Sequence, residues 1–231
     1  MKKVMAGLLF SVVYITMLPL LSSFEVLNNT WPYDFMVLAQ TWPPTYCIHK
    51  ATCSRPIIRD KFTIHGLWDN YVYPRRSPSP CPPIPFVPQL VASLRPTLDQ
   101  HWPNLININD NESFWSYEWT KHGACITNNM NSYFAVTIYW KNKFDVLRIL
   151  AKNGIYLGGQ YNKRRITNVI TREVKYDVVL KCVFIGRQYQ YLWEVELCID
   201  RQGRYLISCK SKNYTGGNQQ CVDYKRIIIP A

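Results

Sequence analysis

Eight cysteines constrain this 231-residue chain more than any other feature: Cys47, Cys53, Cys81, Cys125, Cys182, Cys198, Cys209 and Cys221. No two have the C-x-x-C spacing. Cys47 with Cys53 and Cys198 with Cys209 stand too far apart for a zinc knuckle, so no metal is expected. An even count in an exported chain implies disulfides, although eight cysteines allow about 105 pairings. The N-terminus suggests export. Met1-Lys2-Lys3 is followed by an apolar run and then by Ser22 and Ser23, the layout of a secretory signal peptide over residues 1–23. The run approaches the roughly eighteen residues a membrane span needs. It stands at the extreme end, closes on small residues and has no second apolar run after it, so a leader is expected and a membrane anchor is not. Residues 24–231 then fit one domain. N-x-S/T triplets at Asn28, Asn111 and Asn213 are candidate glycosylation sites, each requiring an exposed asparagine.

The formal net charge is +12, and the leader takes away Lys2 and Lys3 and no acid. So basic a chain favours polyanionic partners: nucleic acid, acidic glycans or an anionic membrane. The basic residues are scattered in small clusters such as Lys141-Asn142-Lys143 and Lys163-Arg164-Arg165, as on a folded surface. Strands are expected over "YDFMVLAQTW" and "KFTIHGLW", and a hairpin over "YQYLWEVELCIDRQGRYLISCKS", turning at "DRQG". The proline-dense stretch Asp69–Pro88 is expected to be irregular and tied down at Cys81. "PQLVASLRPTLDQHW" reads as helix with a break at Pro96. The best helix signal lies in "NSYFAVTIYWKNKFDVLRILAKNGIYLG", with Phe144, Leu147, Ile149 and Leu150 on one face and Gly154 as its stop. "YNKRRITNVITREV" is a weaker candidate. Strands and helices mix without βαβ alternation, so the expected class is α+β: one domain, a central antiparallel sheet flanked by helices, four disulfides.

Four histidines are present, and two share a setting: His65 in "FTIHGLW" and His122 in "FWSYEWTKHGAC", each followed by glycine. Glu118 and His122 are four apart and share a face if helical, with Lys121 alongside. The plain alternative for Glu118 and Lys121 is a solvated ion pair on a helix surface. The chemical alternative is a site for cleaving an RNA phosphodiester. That reaction needs a base for the 2′-hydroxyl, an acid for the leaving 5′ oxygen and donors around the phosphoryl oxygens. The nucleophile belongs to the substrate, so no cofactor is implied. Histidine can do both proton transfers near neutrality.

The two segments resemble the active-site segments of the ribonuclease T2 family, whose usual forms are close to F-T-I-H-G-L-W-P and F-W-x-H-E-W-x-K-H-G-x-C. "QTWPPTYC" is similar to that family's first strand and first cysteine, and "WEVELCIDRQGRYLISC" to its late hairpin. The basic charge resembles the self-incompatibility ribonucleases of flowering plants. The resemblance implies roles: His65 as general acid, His122 as general base, Glu118 and Lys121 as transition-state stabilisers, and a 2′,3′-cyclic phosphate product. It makes Trp68 and Phe114 stacking faces for bases of single-stranded RNA; Trp115 and Trp119 read as core. It also implies disulfides Cys47–Cys53, Cys81–Cys125, Cys182–Cys221 and Cys198–Cys209.

The chain departs from the family pattern twice. The proline after the motif tryptophan is missing, which makes Asp69 a candidate base contact, and Tyr117 replaces a histidine associated with phosphate binding. His49 and His101 are expected to be structural or surface residues. The expected protein is a secreted monomeric endoribonuclease, acting on RNA and not DNA. By resemblance it is a pistil cytotoxin that pollen F-box proteins could read through residues 69–88. Rivals are a plant ribonuclease for defence or phosphate scavenging, a catalytically dead binding protein, and a membrane-active basic peptide. The intact His65, Glu118, Lys121 and His122 disfavour the dead scaffold. The mixed face of the best helix disfavours the membrane reading.

Overall fold

The computed structural model describes residues 27, 31–50, 52–72, 81–186 and 188–231. The proposed leader, Asn28 and residues 73–80 lie outside that range. Among the described residues, seven strands form one sheet: β1 (Phe35–Thr41), β2 (Thr63–Asn70), β3 (Gln160–Tyr161), β4 (Val179–Phe184), β5 (Gln190–Asp200), β6 (Leu206–Ile207) and β7 (Ile227–Ile228). The helices are α1 (Pro43–Lys50), α2 (Arg95–His101), α3 (Asn111–Glu118), α4 (Ala124–Ile126), α5 (Met130–Lys143), α6 (Val146–Lys152) and α7 (Lys163–Val174).

The sheet runs β2-β1-β5-β7-β3, with β4 and β6 also paired to β5. Every pairing is antiparallel except β5 with β7, where Gln190 and Tyr191 stand opposite Ile227 and Ile228 in parallel. The expected antiparallel sheet is therefore mixed. The short C-terminal strand "III" carries too little pattern to reveal its direction. β1 is buried along its whole length because it lies between β2 and β5 with both faces covered. Alternation sends Met36 and Leu38 into the helix-side core, and Phe35 and Val37 to a smaller cluster with Cys198 and Cys209.

One irregularity positions the site. β1 and β2 pair Ala39 with Gly66 and then Gln40 with Ile64, so His65 is an extra residue, a β-bulge. The bulge puts Trp68, opposite Val37, on the same face as His65. It turns Leu67 and Asp69 toward the helices. From that side Trp102 Nε1 donates to the His65 carbonyl at 2.9 Å, and Tyr133 Oη donates to the Leu67 carbonyl at 3.1 Å. The backbone on either side of the bulge is gripped by the aromatic core.

Two helical readings needed revision. The long apolar-patterned segment is two helices, because the Asp145 carboxylate accepts from Arg148 N and starts α6 after Phe144 has closed α5. Ahead of α2, a 3-10 helix spans Pro88–Leu94, and Pro96 occupies the first turn of α2, where a missing N–H costs nothing. α7 is a full amphipathic helix whose Ile166, Val169, Ile170 and Val174 are consumed by the core. That leaves α7 no apolar face of its own to enter a membrane. Among the described residues no helix is long and apolar enough to cross one. The stretch read as irregular keeps Asp69 and Asn70 in β2, and from Cys81 to Val87 it has no regular structure.

Four disulfides join Cys47 to Cys53, Cys81 to Cys125, Cys182 to Cys221 and Cys198 to Cys209, the pairing that the resemblance implied. Cys81–Cys125 pins the end of the proline-rich stretch against the second histidine segment, and Trp119 Nε1 adds a 2.9 Å bond to the Ile84 carbonyl.

Candidate active site

Trp68 is the centre of the site. Its ring meets His65 edge-on with centroids 5.0 Å apart, and it lies 5.8 Å from the ring of His122. Its indole Nε1 donates to Glu118 Oε2 at 2.9 Å. One tryptophan thus gathers both imidazoles and the carboxylate. Glu118 is 1% exposed and Lys121 is exposed, so they are not the solvated ion pair that spacing alone allowed.

The glycine after each histidine has a packing cause. A Cβ on Gly66 would stand 2.2 Å from Glu118 Oε2 and 2.3 Å from Trp68 Nε1. A Cβ on Gly123 would stand 2.5 Å from Trp119 Cε3 and 3.0 Å from Tyr133 Cε1. Gly66 makes room for the Trp68–Glu118 bond. Gly123 lets the second segment press onto the core.

The second segment is not a continuous α-helix. After α3 the chain makes a π-helical turn over Trp119–Gly123 before α4. Such wide turns are rare and recur at functional positions. This one carries Lys121 and His122 outward from buried Trp115 and Trp119, which are core residues as expected.

Each imidazole has a carboxylate at Nδ1. His65 Nδ1 lies 2.6 Å from Glu194 Oε1 on β5, and His122 Nδ1 lies 3.3 Å from Asp69 Oδ1. Asp69 is therefore a correction. Its side chain is 3% exposed and turned to the helix side, so it does not reach a base. The missing proline leaves β2 paired with β1 as far as Asn70, and strict alternation then opposes Asp69 to Trp68. Glu194 was not singled out from the sequence. The signal was present in "WEVELC": acids alternating inside a hydrophobic strand are costly unless partnered.

Electrostatics separates the two acids of β5. Burial alone would raise the Glu194 pKa, but the charge and hydrogen bond of His65, the Thr41 hydroxyl and Lys181 bring it below the ordinary value. Glu196, two residues on and on the same face, is pushed up to about 8 by burial and then by the Glu194 charge. Lys181 Nζ stands 3.8 Å from Glu196 Oε1, too far for a hydrogen bond, and also bonds the Gly216 carbonyl, so its pull loses to burial. His65 is lowered by burial and raised by Glu194, Glu118 and Glu196, with a net rise.

Beside His65 lies a hollow of about 270 Å³, lined by Thr41, Thr63, Asn104, Ile106, Phe114 and Tyr117, among others. The Phe114 ring is 6.1 Å from that of His65. At the rim Lys121 Nζ donates to Tyr117 Oη at 2.7 Å and lies 5.0 Å from the centre of its ring. His49 is exposed near Trp193. His101 lies in a separate depression with Lys61 and Lys141, where burial and then those lysines lower its pKa. Among the described residues, the one group spaced for a metal is Asp69, Cys81 and Cys125, and its two sulfurs are already bonded to each other.

Asn111 is a second correction. It is buried at the start of α3, its Nδ2 donating to Asp99 Oδ1 and its Oδ1 accepting from Asn104 N, both at 2.7 Å. The exposed position that a glycan needs is missing there. Asn213 is exposed, in a left-handed turn with φ of 53°.

Comparison with known proteins agrees with this geometry. Residues 33–209 match the Ribonuclease T2 family. Extracellular ribonuclease LE of Solanum lycopersicum is 32% identical over 85% of this chain and 89% of that protein. The crystal structure of Japanese pear S3-RNase superimposes with a TM-score of 0.73 at 30% identity, covering 84% of this chain and 99% of the other. RNase NT in complex with 5′-AMP gives a TM-score of 0.76 at 25% identity, covering 86% and 98%. The chain belongs to the ribonuclease T2 family and is a T2-type RNA endonuclease.

Proposed function

We propose that this T2-type endonuclease is secreted after removal of residues 1–23 and cleaves single-stranded RNA by metal-free transphosphorylation. The carrying observation is that Trp68 holds His65, His122 and Glu118 together. His122 takes the 2′ proton as the 2′ oxygen bonds to phosphorus. The bond from phosphorus to the 5′ oxygen breaks, and that oxygen takes a proton from His65 Nε2. The products are a 2′,3′-cyclic phosphate and a 5′-hydroxyl. Water then opens the ring with the two histidines in exchanged roles. The raised pKa of His65 suits the member that must start protonated. Lys121 supplies positive charge from the rim. Glu118 fixes Trp68 by accepting from its indole and stabilises the transition state from beside the two imidazoles. Phe114 and the hollow beside His65 take a base.

The biological role we propose is that of a pistil cytotoxin in gametophytic self-incompatibility, a monomer glycosylated at Asn28 and Asn213 and read by pollen F-box proteins through residues 69–88. The basic charge and the likeness to Japanese pear S3-RNase support it. The likeness to extracellular ribonuclease LE supports a second reading, a ribonuclease of defence or phosphate scavenging. Expression confined to the style and many alleles at one locus would favour the first.

The chemistry is tested by incubating the mature protein with a single-stranded oligonucleotide in excess chelator and weighing the products. The expected result is cyclic-phosphate ends from the parent and none from His65→Asn or His122→Asn. A folded parent that leaves RNA intact would overturn the reading and favour a binding protein on the same fold.

A further inference from the structure

We propose that Glu194 is the positioning residue of His65. From the neighbouring strand it fixes the imidazole as the Nδ1–H tautomer and leaves Nε2 to carry the proton delivered to the leaving oxygen. The inference rests on the ribonuclease reading for its catalytic consequence, and on the structure alone for the pairing.

The geometry is that of a built partnership. Register places Thr41 opposite both Thr63 and Glu194, so β2, β1 and β5 present their side chains at one level. The bulge swings His65 across β1 toward β5. Its Nδ1 meets Glu194 Oε1 at 2.6 Å, and Thr41 Oγ1 donates to the same oxygen at 2.8 Å. Glu194 is 2% exposed and cannot turn away into water, whereas 30% of the His65 side chain is open. Phe114 and Trp68 flank the ring. A ring so held on one nitrogen can exchange protons only through the other.

The charges around the pair allow Glu194 to stay ionised while buried. Lys181 on β4 and His65 on β2 supply positive charge, and Thr41 on β1 supplies a donor. Glu118 on α3 and Glu196 on β5 also face His65. Burial and the Glu194 charge push the Glu196 pKa up to about 8, against the pull of Lys181 and of the Tyr214 hydroxyl that donates to it, so below that pH Glu196 holds its proton and β5 presents one negative charge and not two. Tyr46 on α1 feels that charge as well. The sign follows. Removing the Glu194 charge withdraws support from imidazolium, so the His65 midpoint falls. A general acid with a lower midpoint is lost at lower pH, and the alkaline limb of kcat/KM moves down with it.

The test starts with the unaltered mature protein. Its histidine ring nitrogens are followed by 15N NMR from pH 4 to pH 10, without substrate. The expected result is a neutral His65 that keeps its proton on Nδ1; a neutral His65 protonated on Nε2 would overturn the proposal. In Glu194→Gln, the His65 midpoint and the alkaline limb should fall together, while the acid limb stays. kcat should drop about tenfold with KM changed less. Glu194→Asp should restore part of the midpoint. A folded Glu194→Gln with the parent's midpoint and profile would also overturn it. Should the parent not cleave RNA and the NMR results still hold, the ribonuclease reading falls and the pairing stands. Should the parent cleave RNA with an Nε2–H tautomer, the reverse holds.

Discussion

His65 and His122 have near-identical surroundings in sequence and different ones in space. His65 rides a bulge in a sheet strand, and its Nδ1 is held at 2.6 Å by a carboxylate from another strand, itself held by Thr41. His122 rides a π-turn between two helices, and its carboxylate lies 3.3 Å away with a second oxygen, Asp69 Oδ2, buried without a partner. The tight pair stabilises a charged ring, as the acid role proposed for His65 requires. The looser pair orients the ring proposed as the base. The two glycines divide likewise, Gly66 serving the site and Gly123 the core.

The largest effects should come from the histidines. His65→Asn and His122→Asn should each lower kcat about 10²–10⁴-fold. They should differ in stability. Losing His65 strips a buried Glu194 of its main partner, at a cost of about 1–3 kcal/mol, whereas His122→Asn should cost less. Chemical denaturation of both variants checks this, and equal losses would break the comparison.

The glycines come next. Gly66→Ala forces Glu118 or Trp68 aside and should lower kcat at least tenfold with the fold kept. Gly123→Ala should cost about 1–3 kcal/mol of stability through overpacking, while the folded fraction retains most of its activity. Paired kinetics and melting curves would show the division, or its absence.

Glu196→Gln sharpens the contrast between the two acids of β5. A carboxyl raised from 4.5 to about 8 binds its proton more tightly folded than unfolded, so parent stability falls as pH rises across that interval. Each tenfold gain in proton affinity on folding is worth about 1.4 kcal/mol. The glutamine variant should therefore gain on the parent between pH 5 and pH 8 in melting temperature, and a constant difference would contradict the raised pKa. The smallest effect is expected from Tyr117→His, which brings a chargeable group to the rim beside Lys121. KM should fall a few-fold below pH 6.5 in low salt, with kcat unchanged.

Much of this was legible in the sequence, for physical reasons. Alternation marked β1 and β2, the "DRQG" turn marked the β5–β6 hairpin, and the paired H-G motifs marked the two segments that Trp68 joins. Asp145 and the π-turn were not foreseen, because a capping residue and a one-residue widening leave the apolar pattern almost unchanged. Asp69 was misread because a bulge upstream at His65 decides which face it takes. Glu194 lies 129 positions from His65, and only the sheet register brings them together. Asn111 shows the limit of a three-residue motif, since its helix-start hydrogen bonds depend on Asp99 and Asn104.

The division of labour between the two histidines is tested most directly with a dinucleotide whose leaving 5′ oxygen is replaced by sulfur. A thiolate leaves without being protonated, so the acid becomes unnecessary while the base is still required. The expected result is that His65→Asn cleaves this substrate at close to the parent rate, while His122→Asn stays as slow as it is on ordinary RNA. Rescue of His122→Asn in place of His65→Asn, or of neither, would contradict the assignment of His65 as acid and His122 as base.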